Sequence, residues 1–201
     1  MPLKIRGYRM EIASRAAGSL GPMKTIGPSA SKPTFAELLS ECVTSAVHLE
    51  MHDRHLTTDP AFLAWKAGQP HEEDTEPYRV FRALVSDTVA RGVVARRARI
   101  VSEPVSDYVR WEHSLTEPHN IAAEELVRWL PRERASALAL PGNPFWVFDG
   151  RLVRFSIFDG DGALVGHQFT EEPAIVEFCT SAFETVWGRA TDHADYCIST
   201  D

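Results

Sequence analysis

The chain has 201 residues, 44% of them hydrophobic, and carries a formal net charge of −7 at pH 7. Such a chain usually folds as one domain with a buried core, and its acidic balance argues against a dedicated nucleic-acid binder. The three cysteines lack CxxC spacing, which argues against a disulfide framework and a structural zinc site. No apolar run approaches the roughly 20 residues of a membrane-spanning helix, and no signal-peptide pattern opens the sequence. We therefore expect a cytoplasmic protein with no membrane partner.

The first 32 residues are rich in Gly, Ser, Ala and Pro and show little periodicity. This composition is typical of a flexible extension, so we place a single α/β domain over residues 33–201. Thr34 predicts the start of the first helix, because Glu37 follows three residues later as in a capping box. The polar tail after Arg189 is expected to fray.

Hydrophobic periodicity, together with cap and turn signals, predicts the remaining elements. Helices are predicted over residues 35–43, 59–65, 78–90, 102–113, 132–138 and from 173 to about 187. Strands are predicted over residues 47–51, 93–101, 126–130, 145–148, 152–158 and 163–169.

Two Asp-Gly turns organise the C-terminal half of the chain. Asp149-Gly150 follows a nearly all-apolar strand, Phe145–Phe148, which suits burial on both faces. Asp159-Gly160-Asp161-Gly162 resembles the start of a calcium loop, but the distal glutamate is missing, so a second hairpin turn is preferred. The sequence therefore predicts an α/β fold: a mixed sheet flanked by helices, with C-terminal β-hairpins and a final helix.

Five blocks of the sequence together resemble an uncharacterised actinobacterial family, domain of unknown function 6879. They lie at residues 35–39, 46–51, 101–108, 127–132 and 145–153, so the resemblance covers nearly everything after about Pro33. Members of this family are often encoded beside helix-turn-helix regulators in Streptomyces-like genomes. The resemblance therefore implies a non-catalytic regulatory or interaction protein that works with a helix-turn-helix transcription regulator.

The order of the C-terminal elements is similar to part of one phospholipase D-type lobe. In that superfamily a His-x-Lys-x4-Asp motif supplies a nucleophile, a phosphate-binding lysine and an aspartate that orients the imidazole. Asp149 and Gly150 match this pattern, but Gly142 and Pro144 stand at the histidine and lysine positions. The resemblance therefore implies a degenerate lobe without phosphodiester chemistry, and a homodimer, since such lobes usually pair.

The segment from Ser102 to His113 is the densest in functional groups. It follows the carboxyl end of a strand, where α/β folds place ligands, and on a helix Tyr108 and Glu112 share a face. The candidate ligand-binding residues, none assigned as catalytic, are Glu50, Asp53, Arg99, Glu103, Tyr108, Arg110, Glu112, Arg128 and Asp149.

Two interpretations of this segment remain open. A pocket lined by these residues, with shifted carboxylate pKa values, would favour an enzyme acting on a small molecule. A helix cap with surface ion pairs and a flat apolar patch nearby would favour a protein-interaction role.

Two further groups of residues suggest other ligands. His48, His52 and His55 invite a metal interpretation, but four residues along a strand span about 13 Å, so we predict no metal and no cofactor. Arg91, Arg96, Arg97 and Arg99 would suit nucleic acid through a salt-sensitive contact, which we keep as a second alternative. Strand alternation separates Arg96 from Arg97 and Arg99, so we favour a solvated edge or pairing with the acidic loop at 71–76.

Overall fold

The computed structural model describes residues 23–30, 32–55, 58–70 and 74–198. The helices in these residues are α1 (Phe35–Glu41), α2 (Pro60–Lys66), α3 (Glu76–Ala90), α4 (Asp107–Leu115) and α5 (Pro173–Trp187). The strands are β1 (Ser45–Glu50), β2 (Val94–Val101), β3 (Leu126–Pro131), β4 (Phe145–Phe148), β5 (Leu152–Phe158), β6 (Leu164–Thr170) and β7 (Thr191–Asp192). None of the helices in the described residues is long and apolar enough to cross a membrane.

The strands form one mixed sheet in the order β6-β5-β4-β1-β2-β3-β7. β1, β2 and β3 are parallel, and every other neighbouring pair is antiparallel. Parallel neighbours require crossover connections, which α2 and α3 supply between β1 and β2, and α4 supplies between β2 and β3. The predicted α/β class, with a mixed sheet, C-terminal hairpins and a final helix, is confirmed.

One face of the sheet packs against α5. The α5 side chains that are buried there are Val176, Cys179, Ala182, Phe183 and Val186. They meet apolar side chains of β1, β2, β4 and β5, among them Leu49, Ile100 and Phe145. Burying side chains of this size stabilises a fold by about 1.5–3 kcal/mol each, so this layer is the main apolar core.

The opposite face of the sheet carries both apolar and charged side chains. Near the amino ends of the parallel strands, Ala46 and Ala95 pack with α1 and α3 in a second core. Toward the carboxyl ends, strand alternation brings His48 and Glu50 of β1 to the same face. In the β1–β2 pairing, His48 lies opposite Arg97 and Glu50 lies opposite Arg99. This end of the face therefore carries a group of polar and charged side chains.

The Asp149-Gly150 hairpin forms as predicted. Both residues have positive φ, 53° and 59°, as a type I′ turn requires, and the Arg151 N–H donates to the Phe148 carbonyl at 2.9 Å. The capping box on Thr34 and Glu37 is also confirmed.

Several predicted bounds differ from the structure. The helix predicted from Ser102 begins instead after Ser106, whose hydroxyl accepts from the Val109 N–H at 3.2 Å. Only Arg132–Ala135 of the helix predicted over 132–138 forms, as a 3₁₀ turn. A π-helical turn at Thr116–Asn120, not predicted, extends α4 toward β3.

Segments near both ends of the described residues contact the sheet. Ile26 pairs with His167 of β6 through two backbone hydrogen bonds of 2.9 and 2.8 Å, so residues 23–30 contact the sheet; residues 1–22 lie outside the described residues. The tail does not fray immediately after Arg189, because β7 pairs with β3 and Tyr196 stacks on Trp129. The tail is held because it covers the aromatic ring of Trp129.

Candidate functional site

A cleft lies on the charged face of the sheet, at the carboxyl ends of β1 and β2. It consists of two adjoining cavities that share Glu50 and His55. The first, here called the aromatic chamber, has a volume of about 300 Å³ and is lined by Tyr78, Phe81, Arg99, Tyr108, Trp111 and Glu112, among others. The second, the histidine chamber, has a volume of about 200 Å³ and is lined by His48, His52, Trp146, Arg154 and His167, among others.

Strand register builds the floor of the cleft. Trp146 of β4 lies opposite His48 of β1 and opposite Arg154 of β5. His48 in turn lies opposite Arg97 of β2, so one row of polar and aromatic side chains crosses four strands on the same face. The next residue of β1 on this face is Glu50, which lies opposite Arg99.

Glu50 is the centre of a buried ion network. Its two carboxylate oxygens accept from Arg97 and, at 2.5 Å, from Arg99. Arg97 also donates to Glu125 at 3.1 Å. Burial raises the pKa of Glu50, but the charges of Arg99 and Arg97 outweigh it and hold the pKa well below its usual range. Glu50 is therefore ionised and already fully engaged.

Glu112 of α4 has the opposite tendency. Burial raises its pKa, and the Arg99 guanidinium, whose nearest nitrogen is 3.9 Å away, does not offset this. The Glu112 carboxyl also lies 3.5 Å from the His55 ring. When the pKa values of two neighbouring carboxyl groups are moved apart, the two groups can take different roles. The group with the lower pKa can act as an acceptor, and the group with the higher pKa can donate a proton or a hydrogen bond.

The aromatic chamber has apolar walls with a few polar atoms. Tyr78 stacks on His119 with ring centres 4.6 Å apart, and Tyr108 packs at 5.6 Å from Trp111. Burial raises the pKa of both tyrosines, so their hydroxyls stay protonated donors. The buried indole N–H of Trp111 has no hydrogen-bond partner within the described parts of the chain. Buried indole N–H groups usually have one.

The histidine chamber is built from imidazole and indole rings around one cation, Arg154. His48 stacks on Trp146 at 4.3 Å, and burial lowers the pKa of His48 well below its ordinary value. Burial, with the charge of Arg154, lowers the pKa of His167 to about 4. Arg154 contacts His167 Nε2 at 2.6 Å. At pH 7 the imidazoles of His48 and His167 are therefore uncharged.

The structure brings together Glu50, Arg99, Tyr108 and Glu112, four of the predicted site residues, in the aromatic chamber. Asp53 lies beside the cleft, where its carboxylate accepts hydrogen bonds from the Ser102 N–H and from the Arg132 guanidinium. Glu103 accepts from the Tyr196 hydroxyl at 2.6 Å, and Arg110 lies on α4 but lines neither chamber.

Two other predicted site residues lie away from the cleft. Arg128 is on the α5 side of the sheet, paired with Asp192 at 2.6 Å and stacked 4.4 Å over Trp187. Asp149 directly follows β4, at the end of the strand that lies away from the cleft. It lines an open groove of about 460 Å³. Its carboxylate accepts backbone N–H groups of Val43, Thr44 and Ser45, so it closes a turn and is not free to bind a ligand in that groove.

Four residues that line the cleft are not among those predicted from the sequence: Arg154, Trp111, Tyr78 and His167. Arg154 could have been found, because it interrupts the apolar strand β5 at a position that alternation does not assign to the α5 core. For His48, His52 and His55 the sequence predicts no metal site. Within the described residues no group of three or more His, Cys, Asp or Glu side chains is placed to hold a metal ion.

The arginines of β2 are divided between the two faces, as predicted. Arg96 pairs with Glu184 of α5 at 2.6 Å, whereas Arg97 and Arg99 are each only 6% exposed on the cleft side. The expected pairing with the acidic loop is wrong for these three residues, because their partners are Glu184, Glu125 and Glu50. Residues 71–73 of that loop lie outside the described residues.

The sequence model of the domain of unknown function DUF6879 matches residues 33–198. The chain belongs to this family. Comparison with curated protein sequences finds no match.

Solved structures with a similar arrangement include the bacterial proteins Nuc and NucT and one archaeal chromatin protein. Nuc from Salmonella typhimurium, a phospholipase D family member, is 10% identical over 78% of this chain and 86% of its own, with a TM-score of 0.44. NucT from Helicobacter pylori is 8% identical over 78% and 87%, with a TM-score of 0.48. TrmBL2, an archaeal chromatin protein whose structure shows a mode of DNA binding, is 13% identical over 78% of this chain with a TM-score of 0.44. The chain spans 48% of TrmBL2.

Proposed function

We propose that this member of the DUF6879 family binds a small molecule in the cleft formed by the aromatic and histidine chambers. The observation that carries the proposal is the convergence of Glu50, Arg99, Tyr108 and Glu112 on one cavity. The charged groups of Glu50, Arg99 and Glu112 are buried and lie close to one another, and they line a cavity instead of a close-packed core. Fixed charges with shifted pKa values beside a cavity are typical of ligand sites.

The dimensions of the cleft support a ligand of modest size. The chambers, about 300 and 200 Å³, share Glu50 and His55 and together fall within the range of roughly 300–1,000 Å³ that small-molecule sites occupy. The unpartnered Trp111 N–H in the aromatic chamber provides a donor for an acceptor group of the ligand.

The proposal includes binding and no phosphodiester hydrolysis, because Gly142 and Pro144 supply neither a nucleophile nor a cation. A ligand site would suit a regulatory protein that reports a metabolite to a helix-turn-helix partner. That partner, an actinobacterial source and a homodimer rest on the family resemblance alone. Nucleic-acid binding through the β2 arginines is not proposed, because Arg97 and Arg99 are buried and paired.

A pair of neutral aromatic probes tests the proposal. Acetophenone carries a carbonyl acceptor and ethylbenzene does not, so saturation-transfer NMR on the full chain should show tighter binding of acetophenone. Trp111→Phe keeps an aromatic ring but removes the N–H, and should weaken acetophenone binding about fivefold while leaving ethylbenzene unchanged.

Trp65→Phe is the matched control, because Trp65 packs against the same aromatic cluster but does not line the chamber. It should leave the binding of both probes unchanged. If neither probe binds, or if Trp111→Phe and Trp65→Phe behave alike, the proposed site is wrong.

A further inference from the structure

The histidine chamber contains a positive charge that no described acidic side chain balances. Arg154 has its guanidinium 5.5 Å above the Phe35 ring, and one terminal nitrogen contacts His167. Its Nε is buried and has no hydrogen-bond partner in the described ranges of the chain. The acidic group that lines the same chamber is Glu50, whose two oxygens are occupied by Arg97 and Arg99.

This arrangement is costly for the fold. Burial alone lowers the pKa of Arg154 to about 10, with no carboxylate to offset it. The other arginines near the cleft, Arg97 and Arg99, each have acidic partners. A partly desolvated charge without a partner destabilises a protein unless something outside the chain neutralises it.

The neighbouring imidazoles define the charge of the chamber. An arginine can only donate hydrogen bonds, so Nε2 of His167 accepts from Arg154 and the ring proton lies on Nδ1. Burial keeps His48 and His52 below their ordinary pKa as well. Arg154 therefore contributes one uncompensated positive charge beside the uncharged rings of His48, His52 and His167.

We propose that the histidine chamber binds the carboxylate of a small organic acid, with Arg154 as its counter-ion. The carboxylate carries one negative charge and matches the one free positive charge. A phosphate monoester carries about −1.5 to −2 at pH 7 and would leave negative charge unmatched. The adjoining aromatic chamber would hold the apolar or aromatic remainder of the same molecule, and this part rests on the proposed function.

Propionate tests the carboxylate site without requiring the aromatic chamber. The full ¹⁵N-labelled chain is titrated with sodium propionate, sodium phosphate and sodium chloride at constant ionic strength, while Arg Nε–H and histidine ring signals are followed by NMR. Propionate should saturate in the millimolar range and shift the signals of Arg154 and His167. Phosphate should bind more weakly, and chloride should not saturate.

Two substitutions with opposite charge outcomes define the role of Arg154. Arg154→Met should weaken propionate binding at least about tenfold, since an arginine–carboxylate pair is among the stronger polar contacts. Arg154→Lys keeps the charge and should lose only part of the affinity. Arg151→Met is the control, because Arg151 is exposed, precedes the same strand and pairs with Glu171 on the surface.

Stability provides a second readout that a purely structural arginine would not show. Because Arg154 is desolvated without a counter-ion, Arg154→Met should be at least as stable to urea as the wild type in the absence of propionate. Added propionate should stabilise the wild type and not Arg154→Met.

Several results would overturn the carboxylate site: no saturable propionate binding, phosphate binding more tightly than propionate, equal binding by Arg154→Met, or marked destabilisation of Arg154→Met without ligand. Because acetophenone reports on Trp111 in the other chamber, these results leave the proposed function separately testable. If acetophenone binds and propionate does not, only the further inference fails.

Discussion

Asp149 joins the start of β1 to the β4–β5 hairpin through a single carboxylate. It accepts the N–H groups of Val43, Thr44 and Ser45 at 3.0, 2.7 and 3.1 Å, and the Thr44 hydroxyl at 2.9 Å. Partial burial raises its pKa, but the N–H groups of Thr44 and Ser45 outweigh this and hold the pKa well below its usual range. A residue predicted to bind ligand is therefore a structural anchor.

Asp149→Asn should destabilise the protein by about 2 kcal/mol at pH 7, since hydrogen bonds to a charged acceptor are worth roughly 1.5–3 kcal/mol. Asparagine tolerates the positive φ of this turn, so the loss reports on the carboxylate. Urea denaturation measures it. Asp161→Asn, an exposed position in the second hairpin, should change stability by less than about 0.5 kcal/mol.

The pH dependence of this difference has a definite sign. A carboxylate whose pKa is depressed on folding stabilises the protein above the unfolded pKa of about 3.9, and this contribution is lost as pH falls. The gap between wild type and Asp149→Asn should therefore be constant from pH 7 to 5 and shrink below about pH 4. A gap that grows on acidification would contradict the assignment.

At the level of elements, β7 and the segment after it cover one end of the sheet. Tyr196 lies flat on Trp129 with ring centres 5.5 Å apart, and its hydroxyl donates to Glu103. Both rings are buried, although the surrounding tail is polar.

Tyr196→Ala should destabilise the protein by about 3 kcal/mol, because it opens a cavity over Trp129, whereas Tyr196→Phe should cost only about 1 kcal/mol for the hydroxyl. Denaturant midpoints provide the measurement. Cys197→Ala, at the exposed neighbouring position, should be neutral. Equal stability of Tyr196→Ala and wild type would show that the tail adds nothing to the fold.

The contrast between the hairpins and this tail explains what the sequence can predict. The Asp149-Gly150 turn and the apolar face of α5 are local patterns, so periodicity and turn chemistry suffice. The tail is polar, and it is ordered because β7 pairs with β3 and Tyr196 stacks on Trp129, which are contacts between residues distant in the chain. Likewise the 3₁₀ turn at Arg132–Ala135 stops short because packing, not propensity, decides the ends of short helices.

In the candidate site, too, some residues can be predicted from local patterns and others depend on long-range pairing. Tyr108 and Glu112 share a helix face and Glu50 and Arg99 end adjacent parallel strands, so their convergence follows from local pattern and one topological rule. Arg154 joins them only because β4 pairs antiparallel to β1 and carries β5 with it. No local spacing encodes that long-range pairing.

At the scale of the whole molecule, burial affects most of the histidines that the structure describes. Burial is the largest cause that lowers the pKa of five of them: His48, His52, His113, His167 and His193. For His167 and His193 the pKa falls to about 4. In the unfolded chain each would titrate near 6.5. Below that pH the unfolded chain therefore binds more protons than the folded protein does.

Stability should therefore fall as pH decreases from about 6.5 toward 4, with a slope of about 1.4 kcal/mol per pH unit for each excess proton bound by the unfolded chain. Glu112, whose pKa burial raises, has the opposite sign and offsets part of the loss. Urea unfolding at successive pH values should give a slope of more than one proton near pH 5.

His167→Gln keeps an acceptor for Arg154 and should reduce this slope by close to one proton, whatever its stability at pH 7. NMR titration should place the His167 imidazole near pH 4. A slope of zero between pH 6.5 and 5, or a His167 that titrates at its ordinary value, would mean that the cleft is open enough to hydrate its histidines. The neutral imidazoles assigned to the carboxylate site would then be wrong as well.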